Sequence, residues 1–361
     1  MRISSLRLLA LTALLLASTT PLCAADAPVT ATKAEPAAPQ KPAPKRWADD
    51  PLLPEFSAIK AAEFLDAGAQ ANEGKCTACH ATFAYLMARP ALPFATAKHA
   101  AVRAHLEKWT ADLAGLQLNE ASKPQKIAEA VMTGAVLAQH DAATSGKLQP
   151  ISRQALDLLW QVQQKDGGYN WLKLNDPPSE IDNHFGATMA AIGTGLAPDG
   201  YADTPAAHTG LEKIRSYLRA HPPEHMHQRA MLLLADHCVG GLMTDESRRQ
   251  TVSDLFALQR PDGGWAMASL GDGTWKRKDR TPQDLTTSDG YGTGFSVYVL
   301  RLAGRVPEDD PRIRRAVTWL RTHQRAGGYW YTRSPRNSDE LSTYVGTAYA
   351  ILALKVCGEI P

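Results

Sequence analysis

The chain has 361 residues, of which 44% are hydrophobic, 21% charged and 7% aromatic. This composition is typical of a globular protein and excludes a fibrous or wholly disordered one. The chain carries 39 basic and 37 acidic residues, and a chain that starts at Ala25 loses only Arg2 and Arg7 and is therefore neutral. Neutrality argues against a nucleic-acid-binding protein, which needs a basic face to neutralise phosphates.

The first 25 residues have the pattern of a secretory signal peptide. Arg2 and Arg7 precede an apolar run over 8–17, and small residues surround Cys23. This run is shorter than the ~20 residues of a membrane span. We therefore expect an exported protein, periplasmic or secreted, with cleavage near Ala25 and no integral membrane span. Lipidation of Cys23 is the alternative to plain cleavage.

Residues 26–51 are rich in Ala, Pro and Lys and contain almost no large apolar side chain. Such a segment cannot bury enough surface to offset its ordering entropy, so it is predicted to be a linker. The chain beyond it shows no run of alternating apolar residues and is predicted to be all-α. We divide it into a helical N-terminal segment, 52–150, and a repeat region, 151–361.

Three segments of the repeat region share one order of features: an apolar helix ending in Gln, a Gly-Gly-aromatic turn, a polar loop and a small-residue apolar helix. The turns are 163–169, 259–265 and 324–330, and the third is read as one residue shorter than the others. The glycine pair supplies the positive φ that a sharp helix exit requires. The repeat therefore predicts paired helices.

Two departures from the simple repeat are visible. The second repeat carries a ten-residue insertion, roughly 271–280, which contains Trp275 and several basic residues. Two further apolar helices, around 128–138 and 228–235, have the composition of the inner repeat helices but lack a Gly-Gly turn. We expect these two helices to complete a ring.

The turn at 259–265, followed by the helix that contains Gly292 and Thr293, resembles the repeat of terpenoid cyclases and protein prenyltransferases, the squalene-cyclase-like superfamily. The resemblance covers about 150–357 and implies an α/α toroid, with a parallel inner ring, an antiparallel outer ring and a ligand cavity in the middle. That ring hosts cyclases, prenyl transfer, polysaccharide lyases and binding domains. The Asp-x-Asp-Asp acid motif of class II cyclases is not matched, because Glu308-Asp309-Asp310 lacks its first Asp.

The sharpest chemical signal is Cys76-Thr77-Ala78-Cys79-His80. Two thiols at this spacing can form thioethers with both haem vinyl groups while the adjacent His reaches the iron, so this is the attachment motif of c-type haem. The preceding residues 72–75 resemble the approach to the haem site in small cytochromes c. Haem c is therefore the predicted cofactor, bound by Cys76, Cys79 and His80, with His80 as the metal ligand.

Two alternatives to haem stay open. Cys76 and Cys79 could form a disulfide in an oxidising compartment, or the motif could be half of another metal site. If haem is present, a sixth iron ligand could come from one of five residues, although a core position is the simpler interpretation of Met132. These candidates are Met87, Met132, His99, His105 and His140.

Acidic residues precede the inner helices, and three residues there are candidate catalytic groups. Asp182 with His184 could act as a general acid/base pair, as could Asp289, since burial raises the pKa of a carboxylic acid. The alternative is helix N-capping, which uses the same residue types. Capping candidates are Asp182, Asn183, Ser288, Asp289, Ser342 and Thr343.

Aromatic and histidine side chains cluster in the same loops. The aromatic residues could contact a ligand, but packing of the turns explains most of them. The histidines of 221–237, together with Cys238, are expected to be solvated or capping residues, with metal binding as the alternative. The aromatic residues are Tyr169, Trp171, Trp265, Trp275, Tyr291, Phe295, Trp330, Tyr331 and Tyr344.

The leading functional hypothesis is an exported haem-bearing toroid that binds an apolar or polyol small molecule in its central cavity and supports redox or isomerisation chemistry. It implies an electron-transfer partner. One rival is a carbohydrate-active lyase, in which Asp182 and His184 act on an oligosaccharide and the cysteines form a disulfide. Another is a non-catalytic binding ring.

Overall fold

The structure, a computed structural model, describes residues 47–71, 78–93 and 97–361. The predicted signal peptide and most of the predicted linker lie outside these residues, as does Cys76. The described part of the chain folds into twelve α-helices, and its only β-type pairings are two isolated bridges. The all-α prediction is therefore confirmed.

The helices alternate between two concentric rings. The inner helices are α2 (Ala78–Ala88), α4 (Pro124–Thr144), α6 (Asn183–Leu196), α8 (Met226–Val239), α10 (Gly290–Leu302) and α12 (Asp339–Val356). The outer helices are α1 (Ala58–Ala71), α3 (Ala97–Ala114), α5 (Pro150–Gln161), α7 (Pro205–Ala220), α9 (Asp245–Ala257) and α11 (Pro311–Thr322).

The inner ring is closed. Each inner helix contacts the next one along the chain, and α12 contacts α2. Residues 46–361 accordingly form one compact unit, to which the helices of 52–150 and those of 151–361 both belong. The apolar helices expected to complete the ring are α4 and α8, and both lie in the inner ring.

The two rings differ in sequence because they differ in burial. In the outer helix α11, only Ile313, Ala316, Trp319 and Leu320 are buried, at the spacing of one helical face. In the inner helix α10, every residue from Gly290 to Leu300 is buried. Four helices, α4, α5, α7 and α11, begin on proline, whose fixed φ suits the first helical position.

Neighbouring inner helices run parallel. The rings of Phe185 and His227, in the first turns of α6 and α8, lie 6.4 Å apart, and Gly195 lies against the backbone of Cys238 in the last turns. At the far end, the ring of His99, which follows α2, lies 4.9 Å from that of His140 near the end of α4. The inner helices therefore begin at one end of the ring, which we call the N-terminal mouth.

The Gly-Gly turns have a common geometry, but their alignment differs from the one predicted. The positive φ lies at Gly167, Gly263 and Gly328, each four residues after its glutamine. Gly328 therefore matches the first glycine of the other pairs, and Tyr329 takes the place of the second. The prediction that the third turn is one residue shorter is wrong.

Each turn glutamine ties its turn to the next outer helix. The side-chain amide of Gln163 donates to the carbonyls of Gly167 and, in α7, Gly210. Gln259 makes the same pair of bonds, to Gly263 and to Arg312 in α11. One amide thus bonds its own turn and the adjacent outer helix at the same time.

The third turn closes the ring onto the N-terminal end of the described chain. Gln324 donates to the carbonyl of Ser57 at 3.0 Å and accepts from its N–H at 2.7 Å. Asp50 accepts from the N–H of Gly327 at 2.8 Å, and Gly327 occupies the position that an aspartate holds in the other two turns. Residues 47–57 thus belong structurally to the last repeat, although the predicted linker extended to residue 51.

Within the described residues, none of the helices combines the length and the apolar character that crossing a membrane requires.

We predict that Gly328→Ala costs about 3 kcal/mol or more of unfolding free energy, because its φ is +91° and a Cβ there would lie 2.0 Å from the carbonyl oxygen of Lys60. Gly273→Ala is the matched control, since Gly273 has a φ of +75° but no atom within 4 Å of an added Cβ. Its expected cost is about 1 kcal/mol. Equal losses in urea unfolding would contradict this packing of the turn.

Candidate functional site

Several titratable residues of the inner helices lie at the N-terminal mouth. The loops that enter α6, α10 and α12 are long and polar, whereas α8 follows only a short connection from α7. We call the group formed by Asp182, His184, His225 and His227 the mouth cluster. These residues occupy the N-cap positions and first turns of two adjacent helices.

Asp182 is the N-cap of α6 and also faces α8. One carboxylate oxygen accepts from the N–H of Phe185 at 3.0 Å, and the other accepts from the side chain of Gln228 at 2.9 Å. His225 Nε2 lies 3.8 Å from that second oxygen. Burial alone would raise the pKa of Asp182, but the bonds from His225, Phe185 and Gln228 outweigh it and lower that pKa. The carboxylate is therefore ionised at neutral pH.

His184 is a buried imidazole without a partner. Its side chain is 6% exposed, and neither ring nitrogen has a hydrogen-bond partner among the described residues. Burial lowers its pKa to about 4, only partly offset by the nearby charge of Asp182. The predicted Asp182–His184 pair is not hydrogen-bonded, and the imidazole that faces Asp182 is His225. The neutral imidazole of His184 thus has one donor and one acceptor that no described residue uses.

His225 and His227 belong to the histidine-rich stretch that the sequence predicts to be solvated or capping, not catalytic. His225 caps α8 by accepting from the N–H of Gln228 at 3.3 Å, which confirms a capping role. His227 is 1% exposed, so the expectation of a solvated histidine is wrong there. Its Nε2 lies 2.8 Å from the hydroxyl of Tyr291, and its ring stacks on Phe295 at 4.8 Å. Burial lowers the pKa of His227 to about 3.

Asp289 is the N-cap of α10. Its two oxygens accept from the N–H groups of Gly292 at 2.8 Å and Met267 at 2.7 Å. Complete burial raises the pKa of Asp289 to about 7 in spite of these bonds, so the carboxyl exchanges a proton near neutral pH. The predicted capping roles of Asp182 and Asp289 are confirmed, whereas α12 begins at Asp339, before Ser342 and Thr343.

Most aromatic residues of the turns and loops are packing residues. Trp265 and Trp330 are completely buried, and each donates its indole N–H to a carbonyl of the preceding outer helix. Trp275, from the insertion, packs against His225 and His227 with ring centroids 5.5 and 5.9 Å away. Its indole nitrogen is buried without a partner among the described residues. Trp275 therefore covers the mouth cluster.

The haem-motif residues fall only partly within the described chain. Cys76 lies outside it, whereas the backbone of Cys79 and His80 forms the first turn of α2. The other two thiols of the described chain, Cys238 and Cys357, are free. Among the described side chains, there is no group of three or more His, Cys, Asp or Glu residues placed to hold a metal ion.

Two of the candidate sixth ligands are already bonded to each other. His99 Nε2 lies 2.7 Å from His140 Nε2, and Arg103 donates to His140 Nδ1 and to Asp141, each at 2.7 Å. Because arginine only donates, His140 Nδ1 is an acceptor, and His140 therefore donates to His99. Met87 and Met132 are partly buried against the core, and His105 packs on Trp109 with a centroid distance of 6.1 Å.

The chain matches no protein-family model, and no curated protein sequence matches it. It is similar to the solved structure of the type II terpene cyclase MstE from Scytonema in its apo form. The two are 14% identical with a TM-score of 0.47, and the match covers 84% of this chain and 98% of the cyclase. The ring architecture described above follows from the helix contacts of this chain itself.

We predict that His184 makes the protein acid-sensitive. Its pKa is 6.5 when unperturbed and about 4 in the fold, so the unfolded chain binds the proton first and stability is lost as the pH falls from 6.5 towards 4. Between pH 7 and about pH 4.5, this group alone costs about 2 kcal/mol of unfolding free energy.

The measurement is urea unfolding at both pH values. His184→Leu should reduce the loss on acidification by that amount, and His208→Leu, an exposed histidine on α7, should leave it unchanged. If both variants lose as much unfolding free energy on acidification as the wild type, His184 is not the neutral buried imidazole described above.

Proposed function

We propose that this protein is an exported c-type haem protein built on an α/α toroid, with its haem and its ligand site at the N-terminal mouth. The haem would be held by Cys76 and Cys79 as thioethers and by His80 as an iron ligand. Export is proposed from the signal-peptide pattern of residues 1–25.

The observation that carries this proposal is the position of the motif in the chain. Its second cysteine and its histidine, Cys79 and His80, belong to the first turn of α2, an inner helix. Because the inner helices are parallel, that turn lies at the same end of the ring as the mouth cluster. A group attached there would be at the mouth that Asp182 and His184 also line.

The residues present fit such a group. A CxxCH segment that leads into a helix has the donor set of covalent haem. The imidazole of His184, in the first turn of α6, supports the proposal, because it is a buried polar group without a partner among the described residues. When bound, the haem would supply one-electron transfer to or from a ligand in the mouth.

The chain's own residues would handle protons and exclude water. Neutral His184 could accept a proton from a ligand bound beside it. Ionised Asp182 keeps His225 oriented. Trp275 and Phe295, which are 3% and 0% exposed, keep the surroundings of His227 dry and thus keep its imidazole neutral.

The first test is the visible spectrum and intact mass of the mature protein, produced in a host that matures c-type cytochromes. We predict a Soret band, the added mass of one haem and an N-terminus after Ala24 or Ala25. Cys76→Ala/Cys79→Ala should remove both the band and the added mass.

Cys238→Ala/Cys357→Ala is the control, since these thiols are free and lie outside the motif. It should keep the band and the mass. A colourless wild-type protein of apo mass would overturn the haem proposal. In the Cys238→Ala/Cys357→Ala variant, a mass two hydrogens below the reduced value would then assign Cys76 and Cys79 to a disulfide, and the lyase and binding-ring hypotheses would take the place of the haem proposal.

A further inference from the structure

A group of aromatic side chains joins α10 to α12 in the inner ring. The ring centroids of Tyr291 and Tyr349 lie 5.3 Å apart, and those of Tyr349 and Tyr298 lie 6.0 Å apart. Phe295 lies 5.5 Å from Tyr291 and 5.2 Å from Tyr349. We call these four residues the aromatic cluster. None of them belongs to a Gly-Gly turn, so packing of the turns does not account for them.

Tyr291 is the tyrosine of this cluster that has a base beside it. Its hydroxyl oxygen lies 2.8 Å from His227 Nε2, and both side chains are buried. Within the described chain, the hydroxyls of Tyr298 and Tyr349 make no hydrogen bond. A phenolic proton of the cluster can therefore pass directly to another side chain at Tyr291 alone, as far as the described residues are concerned.

The resting pair of Tyr291 and His227 is neutral. Burial raises the pKa of Tyr291 above its ordinary value and lowers the pKa of His227 to about 3, so the phenol keeps its proton as long as it keeps its electrons. Loss of one electron converts a phenol into a strong acid. With its own proton on Nδ1, the neutral imidazole has its acceptor at Nε2, the atom that faces the phenol.

The surroundings of the pair favour Tyr291 as the place where an oxidising equivalent comes to rest. Trp275 lies 5.9 Å from His227, and its indole N–H is buried without a partner among the described residues. An oxidised Trp275 has no hydrogen-bonded base for its proton there, so it would take an electron from the cluster. Phe295 stacks on His227 at 4.8 Å. Burial of these rings excludes the water and solutes that would reduce a radical.

We propose that Tyr291 and His227 form a redox-active pair, a site at which the polypeptide itself holds one oxidising equivalent. The co-reactant is an outer-sphere one-electron oxidant with a higher potential than a phenol. It takes one electron from Tyr291, and the phenolic proton moves to His227 Nε2. The products are a neutral tyrosyl radical, an imidazolium and the reduced oxidant, and return of one electron and that proton restores the pair. The inference goes beyond the proposed function and does not require haem.

The test generates tris(bipyridine)ruthenium(III) by a laser flash in a solution of the whole protein and follows tyrosyl radicals by optical absorption and by EPR of frozen samples. The pair variant is Tyr291→Phe, which removes only the hydroxyl. Two matched controls each keep one part of the arrangement. Tyr298→Phe removes a hydroxyl of the cluster that has no base, and Tyr201→Phe removes a buried hydroxyl that donates to Asp157 at 2.8 Å but lies outside the cluster.

We expect a long-lived tyrosyl radical in the wild type and in both controls, and its loss in Tyr291→Phe. Urea unfolding checks that each variant is folded. Equal radical yields in the wild type and Tyr291→Phe would overturn the proposal. So would loss of the radical in Tyr201→Phe but not in Tyr291→Phe, since the tyrosine bonded to a carboxylate would then be the site.

The role of His227 as the proton acceptor has a readout of its own. His227→Ala should form the radical about 100-fold more slowly, because a positioned base contributes at least that much to a proton transfer, and imidazole added to the solution should restore part of the rate. A histidine that only packs against Tyr291 would show no rescue by imidazole, and that result would contradict the proposed acceptor. A radical at Tyr291 in a colourless protein would support this inference while the haem proposal fails.

Discussion

The closed ring depends on a repeated hydrogen-bond arrangement in which a glutamine amide joins two segments of backbone. Gln163, Gln259 and Gln324 each donate to the carbonyl of a positive-φ glycine and to a carbonyl at the next outer helix. One acceptor belongs to the turn itself, and the other lies 47, 53 or 267 residues away in sequence. The last of these bonds, to Ser57, joins the end of the chain to its beginning. A parallel inner ring with a common mouth follows from that closure.

The common mouth determines the chemistry of the residues within it. Helix N-termini expose backbone N–H groups, and Asp182 and Asp289 satisfy two sets of them. The pKa values of these two carboxyl groups shift in opposite directions because their surroundings differ. Asp182 also accepts from Gln228, whereas Asp289 is buried in the interior, where burial dominates its pKa. Burial keeps His184 and His227 neutral by the same physical cause. The mouth thus holds an ionised acid, an acid that titrates near neutral pH and uncharged bases.

Local elements of the fold could be predicted from the sequence better than the contacts between repeats. The Gly-Gly turns and the helices α4 and α8 could be recognised because glycine pairs and apolar periodicity are local signals. The register of the third turn could not be recognised, since Tyr329 replaces the second glycine and Gly327 replaces the aspartate of the other turns. The Asp182–His225 contact was missed because it depends on the packing of α6 against α8. The hydrogen bond between Asp182 and His184, which their proximity in sequence suggested, does not form.

The central claim is that haem lies at the N-terminal mouth, and relaxation measurements with nitroxide labels test it most directly. One label is attached through Lys276→Cys, in the loop before α10 at the N-terminal mouth, and another through Lys147→Cys at the opposite end, in a Cys238→Ser/Cys357→Ser background. An inner helix such as α6, with 14 residues, is about 21 Å long, so the two labels differ clearly in their distance from the mouth. The account predicts that ferric haem accelerates relaxation of the Lys276 label far more than that of the Lys147 label. Equal acceleration, or a stronger effect at Lys147, would contradict it.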